Sequence, residues 1–246
     1  MIVLGLDSSA KTAGVAVVRR EAQQSLLVYE SWLSAGLTHS ETLLELVDGA
    51  LRACRLQPGQ VDVYAVTAGP GSFTGLRIGM ALVKGLAAAN NTPCVPVSTL
   101  EALAAGCDAP GVIVPAMDAR RGEVYTAAFL RDAAGLHRLR PDTAEPAAKA
   151  AEAALAAARD NAAGLTLLGD GAALCRAALP QALTLPVWCM DEDHRCRAAA
   201  AAAHIGAQQA QAGLVVEAGQ LRPDYHRLCQ AERERAERLA AQQAGQ

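Results

Sequence analysis

Apolar and polar positions follow two different periods along the chain. Short apolar runs bounded by turn residues predict strands at 2–6, 12–18, 24–33, 61–67 and 92–97. Between these runs, apolar residues recur every three or four positions, which predicts helices behind Thr38, over 75–89 and behind Ser98. Thr38 and Ser98 are each followed three residues later by a glutamate, the capping-box pattern of a helix start. Residues 1–106 are therefore predicted to form an α/β lobe.

The pattern of the first strand and its turn recurs in the second half of the chain. Both IVLGLDSSAKTAGVAVV and VIVPAMDARRGEVYTAAFL hold an apolar strand, an aspartate, a polar turn and an alternating strand. Asp118 stands where Asp7 stands, and Gly122 loosely matches Gly14. A repeated unit predicts two related lobes. The second, smaller lobe is predicted over 107–215, with a helix over 144–160, the strand LTLLGD, a helix after Gly171, a strand near Val187 and a long final helix.

A C-terminal helix is predicted over 216–246. It is a candidate to pack back on the first lobe. Its charged composition, with Glu234 and Arg238 at the favourable i, i+4 spacing, is typical of a solvated helix.

Composition and charge narrow the possible partners and the compartment. The chain has 246 residues, a formal net charge of -3 and only 3% aromatic residues, so it lacks both a basic excess and base-stacking platforms. Any contact with nucleic acid is therefore expected to be indirect. The cysteines are seven in number and form no C-x-x-C, which favours reduced thiols in the cytoplasm. Neither a secretory signal nor a membrane span is predicted.

A glycine-rich loop, GPGSFTGLRIG at 69–79, lies between a predicted strand and a predicted helix. This context suits anion binding, because free N–H groups lie at a helix start. The glycine spacing matches neither the dinucleotide fingerprint nor the Walker loop. Gly75 and Gly79 instead indicate that another backbone packs closely on this helix. Whether Gly71 and Ser72 at the loop tip face a phosphate stays open.

Polar residues also follow the first strand of each lobe. Asp7, Ser8 and Ser9 come after the first strand, and Asp118 comes after its counterpart. Such residues commonly form hydrogen-bonded turns. Across a cleft between two lobes they are also suited to face a phosphate or its magnesium, and both interpretations stay open. No catalytic constellation stands out, since Ser72 lacks the G-x-S-x-G context of a hydrolase nucleophile.

The histidines and cysteines do not predict a metal site. His39, at a helix start, has no second histidine at i+4. Cys189, His194 and Cys196 match no standard zinc spacing, and an acidic surface loop is the better interpretation.

Several segments together resemble the TsaB family, also called YeaZ. They are LGLDSS, THSETLLELV, AGPGSFTGLRIGMALVKGLA, VSTLEALA, MDARRGEVYTAAF and RPDYHR, and they occur in order over most of the chain, most densely over 38–128. The resemblance implies a fold of two actin-like (ASKHA or ribonuclease H-like) lobes with mixed sheets flanked by helices. It also implies a non-catalytic subunit that pairs with the transferase TsaD, together with TsaE, in tRNA threonylcarbamoyladenosine (t6A) synthesis at the adenosine beside the anticodon.

The resemblance further implies where the partner binds. The family's interface helices correspond to those behind Thr38 and Gly75, so the expected contacts are His39, Leu43, Val47, Gly75, Arg77, Gly79, Met80 and Val83. A homodimer through the same face is expected when the chain is alone. No cofactor of its own is expected, although ATP or ADP could lie at the interface with TsaD. The alternative is a small-molecule kinase or ATP-binding protein of the same fold, with Asp7 and Asp118 flanking the nucleotide.

Overall fold

The structure is a computed structural model that describes residues 1–22, 24–190 and 198–226. Its first lobe is a five-stranded mixed sheet in the order β3-β2-β1-β4-β5. The pairs β1–β2 and β2–β3 are antiparallel, and the pairs β1–β4 and β4–β5 are parallel. The strands are β1 (Ile2–Asp7), β2 (Ala13–Glu21), β3 (Gln24–Leu33), β4 (Val63–Gly69) and β5 (Cys94–Ser98).

The second lobe repeats this topology strand for strand. Its order is β10-β9-β6-β7-β8, which matches the first sheet when it is read from the opposite edge as β8-β7-β6-β9-β10. The pairs β6–β7 and β7–β8 are antiparallel and the pairs β6–β9 and β9–β10 are parallel, as in the first sheet. The strands are β6 (Gly111–Arg120), β7 (Glu123–Asp132), β8 (Gly135–Pro146), β9 (Leu165–Leu168) and β10 (Val187–Cys189). The predicted fold class, two lobes of mixed sheet flanked by helices, is therefore confirmed.

The match between the two turns differs from the prediction at one position. Asp7 pairs with Gly14 across β1 and β2, whereas Asp118 pairs with Val124 across β6 and β7. Gly122 lies in the intervening turn with a φ of +76°. It is therefore not the counterpart of Gly14.

Helices cover the sheets in separate layers. They are α1 (His39–Ala53), α2 (Phe73–Asn90), α3 (Thr99–Ala105), α4 (Ala147–Asp160), α5 (Ala172–Ala178) and α6 (Ala198–Gln211). α1 and α2 bury their apolar sides on one face of the first sheet. α4 and α5 pack on the second sheet. α3 and α6 contribute to a core that joins residues of both lobes, such as Val3 and Phe129.

α6 lies with the first lobe, although the predicted boundary at residue 215 put it in the second. The helix packs across β1, β2 and β4. Glycine and alanine allow this close approach: a Cβ built at Gly5 would lie under 3.0 Å from Ala199 and Ala203 of α6. Similarly, a Cβ at Gly206 would collide with Ala65 of β4. The alanine-rich sequence of α6 thus fits a sheet face that has no room for larger side chains.

The chain then returns along the edge of the first lobe. Val216 and Cys94 exchange two backbone hydrogen bonds of 2.8 Å, so the returning segment closes the outer edge of β5. Leu221 is fully buried beside α1 and α2 residues. The 3-10 turn Ala218–Gln220 lies on α2. Over residues 216–226 the chain forms the bridge at Val216 and this 3-10 turn but no α-helix, which corrects the predicted helix there. The remainder of that prediction, 227–246, lies outside the described residues.

Candidate functional site

A cavity of about 380 Å³ opens between the lobes where the first strands of both sheets end. Five parts of the chain line it: the β1–β2 turn, the glycine-rich loop, the end of β6 with Tyr125 of β7, Asp170 after β9, and the returning segment. The polar side chains among these residues are those of Ser9, Lys11, Ser72, Asp118, Arg120, Tyr125, Asp170, Asp224, Tyr225 and His226. Of the six residues predicted to face a phosphate, the cavity is lined by Ser9, Gly71, Ser72 and Asp118.

Asp7 and Ser8 do not line this cavity, which corrects their predicted role. Asp7 is 5% exposed, and its Oδ1 accepts hydrogen bonds from the backbone N–H and hydroxyl of Ser9 and from the hydroxyl of Thr67, at 3.1, 2.6 and 2.7 Å. The Ser8 hydroxyl donates to the Gly75 carbonyl at 2.9 Å. A buried carboxylate needs such donors. Asp7 therefore organises the β1–β2 turn.

The glycine-rich loop is packed on the same turn. A Cβ built at Gly71, Gly75 or Gly79 would lie under 3.0 Å from Ser9 or Ser8. Ser72 donates its backbone N–H to the Ser9 carbonyl at 2.7 Å. These glycines therefore accommodate a turn of their own chain. The prediction that Gly75 and Gly79 admit a partner's helix is corrected accordingly.

The polar groups of the loop and of the second lobe are already bonded to neighbours in the chain. The Ser72 hydroxyl accepts the Gly75 N–H at 3.2 Å and so caps α2. Asp118 accepts the backbone N–H of Arg120 at 2.7 Å and contacts its guanidinium at 3.3 Å. The Asp118 N–H donates to Asp170 at 3.0 Å. The lining of the cleft thus contains both negative and positive side chains, and neither sign of charge predominates.

An aromatic and cationic stack connects the mouth of the cleft to the outside of α2. The Phe73 and Tyr225 rings stack with centroids 4.7 Å apart. The Arg77 guanidinium lies 3.9 Å from the Phe73 centroid, and its Nε donates to the Tyr225 hydroxyl at 3.0 Å. Tyr225 was missed as a site residue because 148 positions separate it from Arg77. Its sequence signal was its place in the RPDYHR motif.

Most of the predicted partner contacts lie in the interior of the first lobe. Leu43, Val47, Met80 and Val83 are at most 3% exposed and belong to the core between the sheet and helices α1 and α2. Their neighbours are within the chain, so these four predicted contacts are corrected. His39 is half-buried and its Nε2 has no hydrogen-bond partner among the described residues.

The outer face of α1 and α2 carries a different set of residues. Leu44 is 54% exposed on α1. A Cβ built at Gly49 of α1 or Gly85 of α2 would meet no described atom within 4 Å. Small exposed residues continue the stripe of Gly85 along α2 at Ala81, Ala88 and Ala89. We call this surface the outer helical face.

The described residues contain no cluster of three or more His, Cys, Asp or Glu side chains placed to hold a metal ion. His194 and Cys196 of the predicted acidic loop lie outside those residues. Burial raises the pKa of Cys94 and of Cys175 to about 11, so both thiols stay protonated at neutral pH. Among the described helices, none has the length and apolar character that a membrane crossing requires.

Comparison with known proteins gives consistent relatives. The protein-family model described as TsaD, tRNA N6-adenosine threonylcarbamoyltransferase, matches residues 34–220. The tRNA threonylcarbamoyladenosine biosynthesis protein TsaB of Bacillus subtilis is 37% identical over 143 residues, 58% of this chain and 61% of that protein. TsaB of Haemophilus influenzae is 33% identical over 135 residues, 54% of this chain and 55% of that protein. The chain thus spans less than two thirds of these curated relatives.

One solved structure extends the similarity to nearly the whole chain. YeaZ from Pseudomonas aeruginosa superimposes with a TM-score of 0.72 at 26% sequence identity. The match covers 91% of this chain and 99% of that one.

Proposed function

Because this chain belongs to the family described as TsaD, tRNA N6-adenosine threonylcarbamoyltransferase, and is similar to proteins named TsaB, we propose that it is the non-catalytic partner of a TsaD transferase in t6A synthesis. In this role the chain binds TsaD and activates it, while the transfer of the threonylcarbamoyl group occurs on TsaD. The modified position is the adenosine beside the anticodon.

The observation that carries the proposal is the outer helical face. A glycine inside a helix costs about 0.5–1 kcal/mol relative to alanine. Gly49 and Gly85 carry this cost, and no described atom of the chain lies where their side chains would be. A partner helix crossing close to the backbone supplies a reason for both glycines. Exposed Leu44 provides apolar area for the same contact.

The packing of the cleft supports a role without chemistry of its own. The β1–β2 turn and the glycine-rich loop, which would have to hold a phosphate, are in contact with each other through Ser9 and Gly71. The Asp7 carboxylate is bonded to Ser9 and Thr67. A kinase of this fold would need these groups to face its nucleotide.

The remaining components belong to the same proposal. TsaE is the third subunit, tRNA is contacted only through the complex, and ATP or ADP is held at the joint surface with TsaD. Without TsaD, the chain pairs with a second copy through the outer helical face. His39 and Arg77, at the beginnings of α1 and α2, stay predicted contacts of that surface. The cytoplasm is the proposed compartment.

The test is reconstitution with TsaD and TsaE from the same organism, tRNA and threonylcarbamoyl-adenylate. We expect no t6A from the chain alone and t6A formation when TsaD is added. Gly85→Leu should weaken TsaD binding in sedimentation experiments about tenfold or more and reduce t6A in proportion, because its side chain occupies the crossing point. Ala156→Leu, also exposed but on α4, is the matched control and should change neither.

Two results would contradict the proposal. One is t6A formation by the chain in the absence of TsaD. The other is tight, magnesium-dependent ATP binding by the isolated chain in calorimetry, which would favour the kinase alternative.

A further inference from the structure

A pocket of about 250 Å³ lies between helix α2 and the returning segment, at the border of the outer helical face. We call it the α2 pocket. Its lining consists of Arg77, Met80, Ala81, Lys84, Pro223 and Tyr225. Ala81 also belongs to the outer helical face, so the pocket and that face are continuous. A partner helix that crosses the face would therefore pass beside the pocket.

The α2 pocket is positively charged. Arg77 and Lys84 are its two charged side chains, and no carboxylate lines it. They are also the only charged residues in α2, so this helix supplies no acidic side chain at the i, i+4 spacing that commonly pairs with such cations. Asp224, the neighbour of Tyr225 in sequence, contacts His226 at 3.1 Å instead.

The charge of the two cations is not neutralised within the described part of the chain. Neither Arg77 nor Lys84 forms an ion pair with a described residue. One turn of helix places them on the same side of α2 as Ala81, because the three residues follow each other at spacings of four and three. The pocket therefore suits an anionic group that approaches from the side of the outer helical face.

The Arg77 guanidinium is already oriented in the isolated chain. It lies 3.9 Å from the centroid of the Phe73 ring, and its Nε donates to the Tyr225 hydroxyl at 3.0 Å. The N–H groups on Nη1 and Nη2 make no hydrogen bond to a described residue. The Tyr225 hydroxyl accepts from Arg77 and keeps its own proton to donate. Paired N–H groups of an arginine match the oxygens of a carboxylate, and a side chain that is held in advance loses little entropy on binding.

We propose that the α2 pocket binds the carboxylate of an aspartate or glutamate on the TsaD helix that crosses the outer helical face, an inference that rests on the proposed function. Arg77 binds the carboxylate through its Nη groups, the Tyr225 hydroxyl donates to it, and Lys84 adds a second positive charge. The residues of the outer helical face are small or apolar and allow a helix to slide along them. A charged contact at the border fixes its position.

The first test measures the affinity of the full chain for TsaD from the same organism by calorimetry. Arg77→Gln should weaken binding about tenfold or more, and Lys84→Gln should weaken it less, because no described contact orients Lys84. Arg159→Gln, at an exposed arginine on α4, is the matched control and should leave binding unchanged. Raising the salt concentration from about 0.1 to about 1 M should weaken binding of the original chain more than that of Arg77→Gln, since salt screens the charged contact.

A charge exchange separates a direct contact from an effect on the fold. Arg77→Glu should weaken TsaD binding more than Arg77→Gln does, because two carboxylates would then face each other. In a set of TsaD variants that each replace one surface aspartate or glutamate by lysine, one variant should restore binding to Arg77→Glu. The same variant should bind the original chain more weakly. A change in the partner could not rescue a residue that only supports the fold of this chain.

Four results would overturn the inference. Equal TsaD affinity of the original chain, Arg77→Gln and Lys84→Gln would remove this contact and leave the proposed function standing. Absence of TsaD binding by the original chain would contradict both. Loss of self-association or of thermal stability in Arg77→Gln, with TsaD binding unchanged, would assign the pocket to a second copy or to an acidic residue of this chain. Failure of every TsaD variant to rescue Arg77→Glu would exclude a direct carboxylate contact.

Discussion

At the residue scale, glycines with opposite surroundings occur along a single helix. On α2, Gly75 and Gly79 face the β1–β2 turn, and Gly85 faces away from the lobe. The first two are needed because Ser8 occupies the space of a side chain. The third has no such neighbour among the described residues. The sequence shows three similar glycines, and only the position of Ser8 separates their roles.

Alanine substitutions should therefore act in opposite directions at the two kinds of glycine. Gly75→Ala should destabilise the chain by about 1–3 kcal/mol, because its Cβ would collide with the Ser8 backbone carbonyl. Gly85→Ala should stabilise it by about 0.5–1 kcal/mol, since alanine is the better helix former and the space is open. Urea denaturation of both variants measures these differences. A Gly85→Ala variant less stable than the original would show that this glycine has an intramolecular role.

At the element scale, the beginnings of helices were predictable and one strand was not. The strand boundaries of β3 and the capping box of α1 follow from local patterns, which is why the sequence predicts them. β8 was missed because Arg138, Arg140 and Pro141 interrupt any apolar alternation. Its strand conformation comes from pairing with β7 and its charges from its place at the sheet edge. Such tertiary causes leave no local signal.

The capping box of α1 gives a prediction with a defined pH dependence. The Glu41 carboxylate accepts the hydroxyl and the backbone N–H of Thr38 at 2.7 and 2.9 Å. These bonds lower the pKa of Glu41 from its ordinary value of 4.5. A carboxyl whose pKa is lower in the folded state stabilises it above the unfolded pKa, and this contribution is lost as the pH falls through the folded pKa.

Thr38→Ala should accordingly destabilise the chain at neutral pH, because the hydroxyl that donates to the Glu41 carboxylate is lost. The cost should shrink as the pH falls below 4.5, because Glu41 becomes protonated. Thermal unfolding at several pH values measures it. In a Glu41→Gln background, the effect of Thr38→Ala should no longer vary over this range. A cost that stays constant in acid with Glu41 present would contradict the capping assignment.

At the scale of the whole molecule, the first lobe includes a helix, α6, that follows the second sheet in sequence. The repeated Asp-containing hairpins allowed two lobes to be predicted, and the sheets confirm that inference. The position of α6 could not be predicted in the same way. Chain order places it after the second sheet, whereas the small residues Gly5, Ala65 and Gly206 fit it to the first. Only the assembled fold brings these three residues together.

The segment after α6 completes the first lobe, and this leads to a prediction for two of its leucines. Leu221 is 0% exposed and packs in the core that includes Leu43 and Met80. Leu221→Ala should therefore destabilise the chain by about 2–5 kcal/mol, through lost burial and the cavity that remains. Leu214→Ala, in the same segment but at a leucine that is 64% exposed, should change stability by about 0.5 kcal/mol or less. Urea denaturation followed by circular dichroism compares the two. Similar stability of both variants would mean that the first lobe folds without a contribution from this segment.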